Sequence, residues 1–125
     1  MTTKRRLLVF FFTLPLIAYA APPALEKDMS FTTARKLLLK EKWKPVNVHA
    51  RGDYALMGIE HELAKMNVRE FDSCSSDNSS CIMRYERGNE CLTVFTIGEK
   101  IEYMKVVGWN NECPAPPSRE GPLRQ

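Results

Sequence analysis

Recognisable catalytic signatures are missing from this chain. Neither of its two histidines stands beside a nucleophile motif, no Gly-x-Ser-x-Gly occurs, and no glycine-rich loop could cradle a phosphate. His61-Glu62 invites comparison with zinc hydrolases, but Lys65 stands where a second histidine is needed one helical turn later. His61 therefore reads as a surface histidine. The four cysteines include no Cys-x-x-Cys, and the gaps of six, nine and twenty-one residues between them contain no histidine. That is a poor ligand set for a structural metal. Fifteen acidic residues could always supply a pair of carboxylates, but no spacing selects one. These absences point away from an enzyme and give no reason to expect a cofactor.

Long apolar runs are missing too. The run from Leu7 to Ile17 is interrupted by Pro15 and falls well short of the ~20 residues that span a bilayer. Lys4, Arg5 and Arg6 precede it, and Ala18-Tyr19-Ala20 offers small residues at the positions a signal peptidase reads. Residues 1–20 thus have the form of a secretory signal peptide, cut after Ala20 or Ala21. The first cysteine is Cys74, so a lipid anchor of the bacterial lipoprotein type is not available, and no stable membrane anchor is expected after cleavage. A basic excess disappears with the leader: three of the 18 basic residues are Lys4, Arg5 and Arg6, leaving 15 against 15 acidic. A nucleic-acid binder keeps and clusters such an excess. The densest basic run, Arg35, Lys36, Lys40, Lys42 and Lys44, reads as the solvated side of a helix. No nucleic-acid partner is expected.

About a hundred residues are left, enough for one domain. A core of that size stabilises only marginally, and an even number of cysteines in an exported chain implies two disulfides. Three pairings are open. We favour Cys74–Cys81, which closes the polar loop Ser75–Ser80, and Cys91–Cys113, because the end of the sheet runs past the turn that carries Cys91. Residues 21–29 read as a flexible N-terminus, 30–113 as a single domain, and 114–125 as a proline-rich disordered tail. The expected compartment is the periplasm or the exterior.

The domain is organised around a hairpin, Cys81 to Ile97, turning at Gly88-Asn89. Arg87 then faces Glu90, Tyr85 faces Leu92, and Met83 faces Val94. A second turn at Gly98-Glu99-Lys100 returns Ile101–Val107 alongside, and Val68–Ser73 precedes the hairpin as a first strand. Pairing Cys74 with Cys81 would put Asp72 opposite Met83 and Phe71 opposite Arg84. Upstream, Ser30, Thr32 and Thr33 offer N-cap hydroxyls to a helix with Ala34, Leu37 and Leu38 on its apolar side, ending near Trp43 ahead of Pro45. Val46–His49 is an edge strand or a connection, and Arg51-Gly52-Asp53 is a turn, not an integrin motif. Leu56, Ile59, Leu63 and Met66 mark one face of a second helix, with Glu60, His61, Glu62 and Lys65 outside and Asn67 as its C′ residue. The expected fold class is α+β: two N-terminal helices packed on one face of a three- to four-stranded antiparallel β-meander, stapled by two disulfides.

Strand alternation assigns Met83, Tyr85, Leu92, Val94, Met104 and Val106 to the core under the helices. It gives the opposite face Phe71, Ile82, Phe95, Tyr103, Val107 and Trp109, interleaved with Arg84, Thr93 and Lys105. The candidate binding residues are Phe71, Ile82, Arg84, Phe95, Tyr103, Lys105 and Trp109, since aromatic anchors with arginine and a polar rim are the anatomy of a protein-recognition surface.

The opening Ala34-Arg35-x-x-Leu38, four further residues and Trp43-x-Pro45, followed by paired cysteines in short strands, resembles a group of small exported bacterial proteins of uncharacterised function. That resemblance implies no activity. Two helices on one antiparallel sheet is also similar in architecture to secreted β-lactamase-inhibitor domains, which implies binding of an enzyme by the open sheet face. The expectation is an exported protein-binding module, an inhibitor or immunity protein for an enzyme or toxin in the periplasm. The alternative is a binder of small ligands or cell-wall glycan that stacks sugar on Trp109 and Tyr103.

Overall fold

The computed structural model describes residues 9–15 and 22–116. The basic start of the leader, its cleavage site at Ala20 or Ala21, and the tail from residue 117 lie outside the described residues. Among the described residues no helix is long and apolar enough to cross a membrane.

Chain order gives α1 (Phe31–Lys40), β1 (Lys44–Pro45), α2 (Glu60–Lys65), β2 (Phe71–Cys74), β3 (Ser80–Arg87), β4 (Glu90–Ile97), a 3-10 turn (Ile101–Tyr103) and β5 (Lys105–Asn110). The five strands form one antiparallel sheet in the order β1-β3-β4-β5, with β2 also paired to β3. The architecture of two helices on a sheet is therefore corrected. This is a small α+β protein, mostly β, with a single helix longer than two turns.

The second helix is cut short by its backbone. Gly58 has φ +53, a left-handed conformation that costs glycine little and keeps Leu56 and Met57 out of the helix. Only Glu60–Lys65 closes helical turns. Both helices end in the same way. Lys42 and Asn67 take positive φ, and the next amides reach back: Trp43 N–H to Leu38 O at 2.9 Å and Val68 N–H to Leu63 O at 2.9 Å. These are Schellman closures, in which an apolar residue beyond the helix packs on one in its last turn, and all four of those residues are buried. At the other end of α1, the Ser30 hydroxyl accepts the Thr33 amide at 3.2 Å.

The sheet's first edge differs most from the expected meander. Pro45 lies opposite Tyr85, and Phe71 lies opposite Met83. β1 and β2 therefore read as one strand interrupted opposite Arg84. Val46 N–H donates to Arg84 O at 3.0 Å, and Arg84 N–H donates to Glu70 O at 2.8 Å. Between these two bonds the chain makes an excursion that contains α2. Only Lys44–Pro45 of the upstream segment forms strand, and Val46–His49 is a connection.

The core lies between α1 and the sheet. Met83, Tyr85, Leu92, Val94, Met104 and Val106 are buried there with Phe31, Ala34, Leu38, Trp43, Leu63 and Phe71. Glu70 is buried among them. Its Oε1 accepts from Arg35 Nε at 2.5 Å and from the Tyr85 hydroxyl at 2.9 Å. Burial pulls the Arg35 pKa down, but the hydrogen bond and charge of Glu70 outweigh it and leave it raised. Burial, with the charge and hydrogen bond of Glu70 added, pushes the Tyr85 hydroxyl well above its ordinary value. The segment expected to be a flexible N-terminus is also tied down. Leu25 is buried, Asp28 N–H donates to Val106 O at 2.7 Å, and Val106 N–H donates to Met29 O at 2.9 Å.

The bonds Cys74–Cys81 and Cys91–Cys113 are both present, the pairing favoured by loop and register. They mark a protein of an oxidising compartment.

Three outcomes follow from this packing. Arg35→Ala leaves the Glu70 carboxylate buried without its cation and should cost about 2–3 kcal/mol, less than a fully enclosed pair because Arg35 keeps some solvent; a melt beside Lys36→Ala, expected within about 0.5 kcal/mol of wild type, checks this. Tyr85 holds its proton more tightly folded than unfolded, so its stabilisation is complete below pH ~10 and is lost as pH rises beyond it. Tyr85→Phe should flatten that alkaline limb in denaturant titrations while lowering neutral-pH stability by about 1 kcal/mol. Gly98 has φ +148, and a Cβ there would come within 2.7 Å of the Met104 backbone. Gly98→Ala should therefore destabilise by more than about 2 kcal/mol in the same titration.

Candidate binding face

The sheet has a second face, turned away from α1. Alternation along β3 and β4 places Ile82, Arg84, Thr93, Phe95 and Ile97 there, and the register sets Ile82 opposite Phe95 and Arg84 opposite Thr93. Ile82 and Phe95 are half-buried, and Ile97 is 44% exposed. On β5, Lys105 lies opposite Ile97 and Gly108 opposite Phe95.

Four of the seven candidate residues, Ile82, Arg84, Phe95 and Lys105, share this face. The other three do not, and irregular backbone is the reason each time. A bulge between Phe71 and Ser73 absorbs Asp72 and sets Phe71 opposite Met83, so Phe71 is a core residue, 2% exposed. The expected pairs Asp72 with Met83 and Phe71 with Arg84 are both displaced by this extra residue. A second bulge at Val107 sets Trp109 opposite Val94, on the α1 side of the sheet at its edge. Tyr103 belongs to the 3-10 turn, 66% exposed, and has no place in the strand alternation. Trp109 and Tyr103 consequently stand at opposite ends of β5, and the stacking platform of the glycan reading is not assembled. Continuing the period of two past Phe95 would have found Ile97.

Arg84 on this face is fully engaged. Its Nε and Nη2 lie 2.8 and 2.7 Å from Asp72 Oδ2, and its Nη1 donates to Thr93 Oγ1 at 2.6 Å. The Thr93 hydroxyl donates onward to Glu112 O at 2.8 Å. This chain of bonds carries the segment after β5 across one end of the face. Pro114 and Ala115, expected in a disordered tail, there border an open cleft of about 700 Å³ with Val48, His49, Asp72 and Arg84. Ala50, Arg51 and Asp53 complete its lining.

The edges of the sheet are closed by side chains that the sequence reading did not single out. His49 Nε2 donates to Asp72 O at 2.5 Å, and its ring stacks on Tyr54 with centroids 3.6 Å apart. Glu60, expected on the outside of α2, is wholly buried. Its Oε1 accepts from Cys74 N–H and the Tyr54 hydroxyl, both at 2.9 Å, and its Oε2 accepts from Met57 N–H at 2.9 Å. The last bond reaches back three residues, as the glutamate of a capping box does. Burial, with the hydrogen bond to Glu60, raises the Tyr54 pKa. The β2 edge is thus plugged at Asp72 and Cys74, and Asp28–Ser30 cover the start of β5. Strand addition at those points of the sheet edges is blocked. Among the described residues no group of three or more His, Cys, Asp or Glu side chains could hold a metal ion.

The chain matches no protein-family model, no curated protein and no solved structure.

Glu60→Gln would turn a donor NH2 toward Met57 N–H. A loss of about 1–3 kcal/mol is expected, with faster amide exchange at Met57 and Cys74 read by NMR and little change at Val94.

Proposed function

We propose that this protein is an exported protein-binding module that acts as an inhibitor or immunity protein toward an enzyme or toxin in the periplasm. One observation carries the reading: the second sheet face bears the cross-strand pair Ile82–Phe95 beside the exposed Ile97, and among the described residues no helix or further strand is layered over it. Apolar side chains gathered on one face and flanked by Ser80 and Lys105 have the composition of a recognition patch. The two disulfides suit a rigid domain in an oxidising compartment. A leader of the secretory form supports export. Rigidity favours inhibition, because a preorganised face loses little entropy on binding.

Purification of the tagged protein from the periplasm of its native host should yield a partner in stoichiometric amount. Phe95→Ala with Ile97→Ala should weaken that complex about 30-fold or more, as loss of central anchors does. A folded double variant that holds its partner as tightly as wild type would remove the face from the reading.

A further inference from the structure

The same face has a finer chemistry. Phe95 has Ile82 across from it on one side and Gly108 on the other. Gly108 has no side chain, and a Cβ built there would meet nothing within 4 Å. The strand beside Phe95 therefore carries a notch open to solvent. Two residues along β4, Ile97 is flanked by Ser80 and Lys105. Lys105 is exposed and joins none of the ion pairs among the described residues. Arg84, by contrast, is committed to Asp72. Near the notch the face thus offers apolar surface and one unneutralised cation. At a strand rise of ~3.3 Å per residue the two are about 7–10 Å apart.

We infer that the face takes a protein segment that places an apolar side chain in the notch beside Phe95 and a carboxylate against Lys105. The spacing corresponds to two or three residues of extended chain. An apolar anchor supplies desolvation, while a charge on the rim sets orientation and rejects basic competitors. The inference rests on the binding-face reading and adds the partner's chemistry to it.

A phage library of random twelve-residue peptides, panned on the disulfide-bonded domain, tests it. The enriched peptides should carry a large apolar residue with Asp or Glu two or three positions away. Their affinity should fall at least tenfold on Lys105→Glu and on Gly108→Leu, which fills the notch, and should be unchanged on Lys65→Glu in α2. Circular dichroism and thiol counting establish that each variant is folded and oxidised. Binding spared by Lys105→Glu but lost on Phe95→Ala would overturn this inference and leave the face reading standing; binding spared by both would overturn the two together. No enrichment, or a consensus without an acid, also overturns it. Enrichment only on a chain ended at Pro116 would make the occupant this protein's own residues 117–125, and self-association reversed by Gly108→Leu would make it a second copy. Either result refutes the partner inferred here.

Discussion

The buried Glu70 carboxylate is the constraint on which the rest of the fold depends. Removing a carboxylate from water costs several kcal/mol even after the protein relaxes, so the chain must deliver compensating donors to one point. It does so from two elements that could otherwise slide past each other: Arg35 on α1 and the Tyr85 hydroxyl on β3. The backbone of Glu70 is fixed at the same time, its carbonyl accepting from Arg84. One residue thereby fixes the axial position of α1, the return of the excursion and the register of β2 on β3. Its directional bonds add to the register already set by the apolar alternation of the strands, in which a one-residue slip would turn the core side chains outward.

Glu60 repeats this logic without a cation. Its donors are two backbone amides and a tyrosine hydroxyl, and what it joins is local: the first turn of α2 and the edge of β2. The two buried glutamates divide the work, Glu70 positioning the helix that covers the sheet and Glu60 closing the edge that would invite another strand. Because both act on the α1 side or at the edge, the second face has no structural duty beyond the Arg84–Asp72–Thr93 row. On that face Ile82 and Phe95 are half-buried and Ile97 is exposed.

The regular parts of this fold were legible in the sequence. The hairpin from Met83–Val94 to Arg87–Glu90, the six core residues of the sheet and the Asn67 helix stop follow from period-two alternation, a Gly-Asn turn and cap chemistry. The irregular parts were not. Phe71 and Trp109 went to the wrong face because one extra residue in a bulge inverts everything beyond it; no pattern in Asp72-Ser73 announces the first insertion, while Gly108 inside a strand was the available signal for the second. Glu60 sat on the polar side of a helical wheel, and only the tertiary approach of Cys74 makes burial of its carboxylate favourable. The length of α2 turned on one glycine whose left-handed φ is decided by the excursion, not by its neighbours in sequence. Of the seven candidate residues this left Ile82, Arg84, Phe95 and Lys105 correctly grouped on one sheet face, and the edge closures unseen.

The excursion between Val46 and Glu70 begins and ends on the backbone of a single residue, Arg84. The hydrogen bonding of the sheet is consequently indifferent to how much chain lies in between. Lengthening such a detour twofold costs only about 0.6 kcal/mol of closure entropy, while the strand on either side keeps its partners. The fold can therefore gain length in the loops of this excursion without a change of sheet register, provided Leu63 keeps its place in the core and Glu60 its bond to Cys74. Variation in chain length among proteins built on this plan should gather there, with the helix, the hairpin and the two disulfides preserved around it.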